Sequence, residues 1–125
     1  MRILLVEDHR DSANMLALVL RGAGHDVLAV GTAAEALRAC GAWTFDLMIS
    51  DIGLPDLNGW DLLARVRAHC AVPAIALTAF GSQEDRERSR AAGFDAHLPK
   101  PVDFKTLTAV VATYADPAPT PPPGL

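Results

Sequence analysis

Short apolar runs recur about every 20–25 residues: Ile3–Val6, Val27–Val30, Leu47–Ile49, Ala74–Leu77 and the shorter Ala96–Leu98. Most are unbroken by polar positions, as in strands of a parallel sheet covered on both faces. Between them the apolar period changes to that of a helix. Ala13, Leu16, Ala17 and Leu20 form one stripe, and Ala33, Ala36, Leu37 and Cys40 a second. Leu62, Leu63, Val66 and Cys70 form a third, and Leu107, Val110, Val111 and Tyr114 a fifth. The fourth helical segment, near residues 83–92, is mostly charged. Thr32 with Glu35, and Ser82 with Asp85, have the spacing of helix caps. Asn58 and Asp103 stand at the starts of the third and fifth helices. Gly22, Gly24, Gly41 and Gly93 fall near helix ends. The pattern is β-α repeated five times. Right-handed crossovers turn it into a doubly wound parallel α/β sheet with helices on both faces.

Composition narrows what such a domain does. The chain has 125 residues, enough for one domain with its own core. The formal charge is −4, which disfavours direct nucleic-acid binding. No apolar run is long enough to span a membrane, and no signal-peptide pattern opens the chain. The expectation is a soluble, cytoplasmic protein. Cys40 and Cys70 are too few for a disulfide framework or metal knuckle and read as buried small hydrophobes. Five of the nine prolines lie between Pro117 and Pro123. The folded unit is therefore expected over residues 1–115, with 116–125 a disordered proline-rich tail.

Function in a doubly wound sheet gathers beyond the carboxyl ends of the strands. The residues there are Glu7 and Asp8 after the first run, Asp51 after the third, Thr78 after the fourth and Lys100 after the fifth. Three neighbouring carboxylates repel, and a hard divalent cation relieves that cost. A hydroxyl and an ammonium beside the cation suit phosphate oxygens. Taken singly, Glu7-Asp8 reads as a turn with an acidic helix start, Asp51 as an Asx turn before Pro55, and Thr78 as a strand-end residue.

Four segments together resemble the receiver domain of two-component response regulators. They are Leu4-Leu5-Val6-Glu7-Asp8, Asp51-Ile-Gly-Leu-Pro-Asp-Leu-Asn-Gly59, Ala76-Leu77-Thr78-Ala79 and Leu98-Pro99-Lys100-Pro101. The phrasing is similar to that of receivers in hybrid histidine kinases or stand-alone single-domain regulators. The resemblance implies a flavodoxin-like receiver fold, (βα)5, with strand order 2-1-3-4-5. It implies that Asp51 is the phospho-acceptor, fed from the phosphohistidine of a histidine kinase or a histidine-phosphotransfer protein. Mg2+ would be held by Glu7, Asp8, Asp51 and the Gly53 carbonyl. Thr78 and Lys100 would contact the phosphoryl group, and the Lys100–Pro101 peptide would be cis. The domain would be a signalling receiver catalysing its own phosphorylation and dephosphorylation, rather than an enzyme with an external product. His97 stands where the family often has Tyr or Phe in its Thr78-linked switch, which opens the prospect of pH sensitivity.

The first helix turns Asp11, Asn14, Met15 and Leu18 away from its core stripe. Met15 and Leu18 are thereby candidate docking residues for the phosphohistidine donor. The charged segment Glu84–Arg90 reads as a solvated face with pairs such as Glu84/Arg88, Trp60 as rim packing, and His9 as an exposed loop histidine. Three other readings compete with this one. An aspartyl phosphatase would want a second Asp where Gly53 stands. A flavin-phosphate carrier would want a Gly- and hydroxyl-rich first loop. A degenerate receiver would serve only as an interaction module. With no effector expected after residue 115, output is expected through protein contacts or phosphate relay.

Overall fold

The computed structural model describes residues 1–79 and 83–115. Ser82, expected to cap the fourth helix, and the tail at 116–125 lie outside the described residues. Five strands alternate with five helices: β1 (Arg2–Val6), α1 (Arg10–Gly22), β2 (Asp26–Val30), α2 (Ala33–Ala42), β3 (Leu47–Asp51), α3 (Gly59–Arg67), β4 (Ala74–Thr78), α4 (Gln83–Ala92), β5 (Ala96–Pro99) and α5 (Phe104–Ala115). All pairings are parallel and the strand order is β2-β1-β3-β4-β5.

The side-chain period of a strand splits the core in two. Ile3 and Leu5 of β1 face α1 and α5 with Leu16, Leu20, Leu107 and Val111. Leu4 and Val6 face the opposite layer with Ala36, Leu62, Leu63 and Val66. Every residue of β3 and β4 is buried, as their unbroken apolar runs require. Val27–Val30 departs from that expectation. β2 is an edge strand, covered on one side at most, and Leu28 is exposed. Apolar content alone does not separate an edge strand from a central one.

Helix stripes follow the sequence closely. The buried residues of α1 are Ala13, Leu16, Ala17 and Leu20. In α2 the buried set is Ala33, Ala36 and Ala39, with Leu37 and Cys40 only half-buried. α3 ends at Arg67, so Cys70 lies past the helix and is also half-buried. The two thiols are thus partly accessible rather than fully buried. Burial pushes the Cys40 thiol above its ordinary range, helped by the neighbouring Cys70.

Caps fix the helix starts. Thr32 Oγ1 accepts from the Glu35 amide at 3.1 Å, and Asn58 Oδ1 from the Asp61 amide at 2.9 Å. Asp103 accepts from the Lys105 amide at 3.2 Å and from Thr106 Oγ1 at 2.8 Å. Two further devices hold the functional edge. His9 caps α1, its Nδ1 accepting from the Ser12 amide at 3.3 Å. Asp56, in the loop before α3, accepts from the Ala33 and Ala34 amides at 2.9 and 3.0 Å. Those two bonds hold its carboxyl below the ordinary carboxylate range. The turn after β3 closes tightly: a Cβ on Gly59 would lie 2.6 Å from the Asp51 carbonyl oxygen and 2.9 Å from Ile52 Cα. Only glycine lets α3 start there, and the Gly59 amide donates to the Ile52 carbonyl at 2.8 Å.

Candidate functional site

Strand register brings the expected residues to one edge. Val6 pairs with Val30 and Ser50, Asp51 with Leu77, and Thr78 with Pro99. Glu7, Asp51, Thr78 and Lys100 therefore leave neighbouring strands at the same height. Backbone bonds lock them: the Glu7 amide donates to Val30 at 3.0 Å, Ile52 to Leu77 at 3.2 Å, and Lys100 to Thr78 at 2.8 Å. The Lys100–Pro101 peptide is cis, as expected.

Glu7, Asp51 and Thr78 are all buried, whereas Asp8 is exposed at the mouth. One oxygen from each of Glu7, Asp8 and Asp51 lies within 4.8 Å of the others. Lys100 Nζ is hydrogen-bonded to both buried acids, at 2.9 and 3.2 Å from the two Glu7 oxygens and 2.8 Å from Asp51 Oδ2. The Gly53 amide donates to Asp51 Oδ1 at 3.3 Å.

The electrostatics are those of a crowded anionic pocket with one internal cation. Burial raises the Glu7 carboxyl above its ordinary range, opposed by the Lys100 hydrogen bond and reinforced by the charge of Asp51. Burial also works against the Lys100 ammonium, but its bonds to Asp51 and Glu7 outweigh that and hold it above the ordinary lysine range. Lys100 thus offsets one of the two buried carboxylate charges, and the exposed Asp8 adds a further acid to a cluster that is already net anionic. The three carboxylates could hold a metal ion. Hard oxygen donors with an open, solvent-facing side are the donor set that Mg2+ prefers.

His97 lies on β5, half-buried beneath α4. Burial lowers its pKa, and the positive charges of Arg86 and Arg90 lower it further. Met15 and Leu18 are 48% and 65% exposed on the outer face of α1, as the helical period requires. Glu84 and Arg88 do not form the expected pair. Arg88 instead lies over the Trp60 ring, 3.9 Å from its centroid. Trp60 is correspondingly more than rim packing, because its Nε1 donates to Ser89 Oγ at 3.0 Å. Nothing in the local sequence signals this link, which joins residues 29 apart. A second missed anchor is Arg67. It donates to the carbonyls of Gly93 and Val72 and to Asp95, at 2.9 Å for the last, and so ties α3 to the starts of β4 and β5.

Comparison with known proteins agrees with this geometry. The family model of the response regulator receiver domain matches residues 3–112. An uncharacterized 14.6 kDa protein of Leptolyngbya boryana is 37% identical over 117 residues, covering 91% of this chain and 89% of its own. The DNA-binding response regulator MtrA of Mycolicibacterium paratuberculosis is 38% identical over 110 residues. That match covers 88% of this chain but 49% of MtrA, so the chain spans about half the length of that relative. A putative response regulator from Chloroflexus aurantiacus superposes with a TM-score of 0.85 at 34% identity, covering 90% of this chain and 95% of that one. A CheY-like receiver domain protein from Methanospirillum hungatei gives 0.82 at 31% identity, with coverage of 89% and 90%. The five-stranded order, the acidic cluster at its carboxyl edge and these matches lead to one assignment: the chain belongs to the response regulator receiver domain family of two-component signalling.

Proposed function

We propose that Asp51 accepts a phosphoryl group from a phosphohistidine and that the resulting acyl phosphate changes the protein contacts of this domain. The observation that carries this reading is the triple contact of Glu7, Asp51 and Lys100 beside the exposed Asp8. A carboxylate oxygen of Asp51 attacks phosphorus, the phosphorus–nitrogen bond breaks, and the imidazole leaves as a neutral ring after taking a proton. Lys100 already neutralises the acceptor, and its ammonium follows the charge onto the incoming phosphoryl oxygens. The Thr78 hydroxyl, at the next strand end, would donate to another of those oxygens. Glu7, Asp8 and Asp51, with the Gly53 carbonyl, would hold Mg2+. The ion would supply charge neutralisation for acceptor and phosphoryl group. Positioning and electrostatics carry most of such a transfer. Hydrolysis returns Asp51 to the carboxylate and releases inorganic phosphate.

The donor is read as a histidine kinase or a histidine-phosphotransfer protein. An apolar groove of about 550 Å³ runs from Met15 on α1 past Val102 and Phe104 to Lys100. It shares Ala79 and Lys100 with the cavity that holds Asp51, which supports α1 and the β5–α5 loop as the docking face. The domain would work by this contact and by relay of phosphate, with no direct nucleic-acid or membrane contact. Among the described residues no helix is long and apolar enough to cross a membrane.

Intact-mass measurement after incubation with acetyl phosphate and magnesium tests the reading. The wild type gains one phosphoryl group and Asp51→Asn gains none. An unmodified wild type would favour an interaction module without phosphotransfer. Met15→Lys and Leu18→Lys should slow transfer from the donor protein while leaving acetyl phosphate labelling intact. Equal slowing of both routes would overturn the docking assignment.

A further inference from the structure

α4 is almost wholly polar, and its one buried residue is Ser89, at 1% exposure. A polar residue at a helix's only buried position needs a partner, and here it accepts from Trp60 Nε1 at 3.0 Å. One residue earlier, the Arg88 guanidinium lies 3.9 Å from the centroid of the same indole. Trp60, in the first turn of α3, is thus gripped from α4 by a hydrogen bond at its edge and a cation over its face. Trp60 also lines a cavity of about 310 Å³ shared with Asp51, Gly53, Thr78, Asp85 and Lys100.

Indole has one polar hydrogen and no acceptor lone pair. That hydrogen is committed to Ser89, so the ring offers a water molecule in the cavity nothing to bind. We propose that Trp60 is a water-excluding wall of the acceptor cavity that sets the lifetime of the aspartyl phosphate, with Arg88 and Ser89 as positioning residues acting through it. This rests on Asp51 being the acceptor. In hydrolysis, a water oxygen forms a bond to phosphorus as the bond from phosphorus to the Asp51 oxygen breaks. The water's protons leave with inorganic phosphate and to solvent. Access of that water is the variable controlled by the indole. It also makes the lifetime sensitive to any partner that shifts α4.

The test uses the full chain phosphorylated with acetyl phosphate and magnesium, freed of donor, with acyl-phosphate decay followed by intact mass. Arg88→Ala, an exposed position, should speed decay about two- to fivefold, the factor corresponding to an exposed cation–π contact. Trp60→Ala should speed it at least as much, and Trp60→Phe, which keeps a ring but loses the donor, by less. Arg88→Lys should restore a decay rate close to wild type. Thermal midpoints separate this from simple loosening, because Arg88→Ala should alter decay with little change in stability. Decay at the wild-type rate in both Arg88→Ala and Trp60→Ala would overturn the proposal. So would equal acceleration by Arg88→Lys and Arg88→Ala. A wild type that never gains a phosphoryl group would instead defeat the acceptor reading on which this one stands.

Discussion

Replacing Lys100 by methionine keeps most of the side-chain volume and removes the ammonium. In the folded protein that ammonium bonds both Glu7 oxygens and Asp51 Oδ2 at 2.8–3.2 Å. Its two partners are 2% and 6% exposed, so the variant leaves two desolvated carboxylates facing each other. Removing one partner of a buried ion pair costs about 3–5 kcal/mol. The Lys100 side chain is itself 28% exposed, and one carboxylate can take up a proton, so about 2–4 kcal/mol is the expected loss near neutral pH. For a domain of this size that lowers Tm by roughly 10 °C. Magnesium should offset part of the loss, by about 1.4 kcal/mol at ten times its Kd. The gain should be larger in Lys100→Met than in wild type, because the ammonium no longer competes for Glu7 and Asp51. The assay is thermal denaturation of both proteins over a magnesium titration. Unchanged Tm in Lys100→Met, or equal magnesium stabilisation of the two, would refute the view of Lys100 as the internal counter-ion of an anionic pocket.

Further predictions concern the frame around the pocket. Gly59→Ala places a methyl against backbone atoms of Asp51 and Ile52, and should cost about 1–3 kcal/mol in urea unfolding. Arg67→Met removes the donors shared by Val72, Gly93 and Asp95 and should cost a similar amount, roughly 1–3 kcal/mol by the same measurement. His97 is held below its ordinary value of 6.5 by burial and by Arg86 and Arg90. Below that value the unfolded chain binds more protons than the folded one, so stability is present above about pH 6.5 and falls as pH drops through the folded pKa. Urea midpoints should therefore fall less steeply with acidification in His97→Gln than in wild type. The same sign at His25, lowered mainly by burial, leaves a residual slope in the variant.

Periodicity carried most of this structure. The four buried residues of α1 are those of its i, i+3, i+4, i+7 stripe, and the same geometry turned Met15 and Leu18 outward. The acceptor edge was legible because parallel strands of similar length end at one height, so residues just past each apolar run must meet. What stayed hidden depends on contacts distant in sequence. The Asp56 cap on α2, the Arg67 anchor and the Trp60–Ser89 bond each link segments more than twenty residues apart or join elements across a turn. The exposure of β2 is not legible in its composition, because Val27–Val30 carries the apolar content of a covered strand while lying at the sheet edge. The His9 cap is not signalled by residue type, because histidine seldom caps a helix.

The central claim is that Asp51 is the residue phosphorylated. An acyl phosphate, unlike a carboxylate, is reduced by borohydride, which converts the modified aspartate to homoserine. Peptide mapping after acetyl phosphate treatment and reduction should find that conversion at position 51, dependent on magnesium and absent from untreated protein. Conversion at another carboxylate, or at none while the wild type remains folded and magnesium-loaded, would contradict the account.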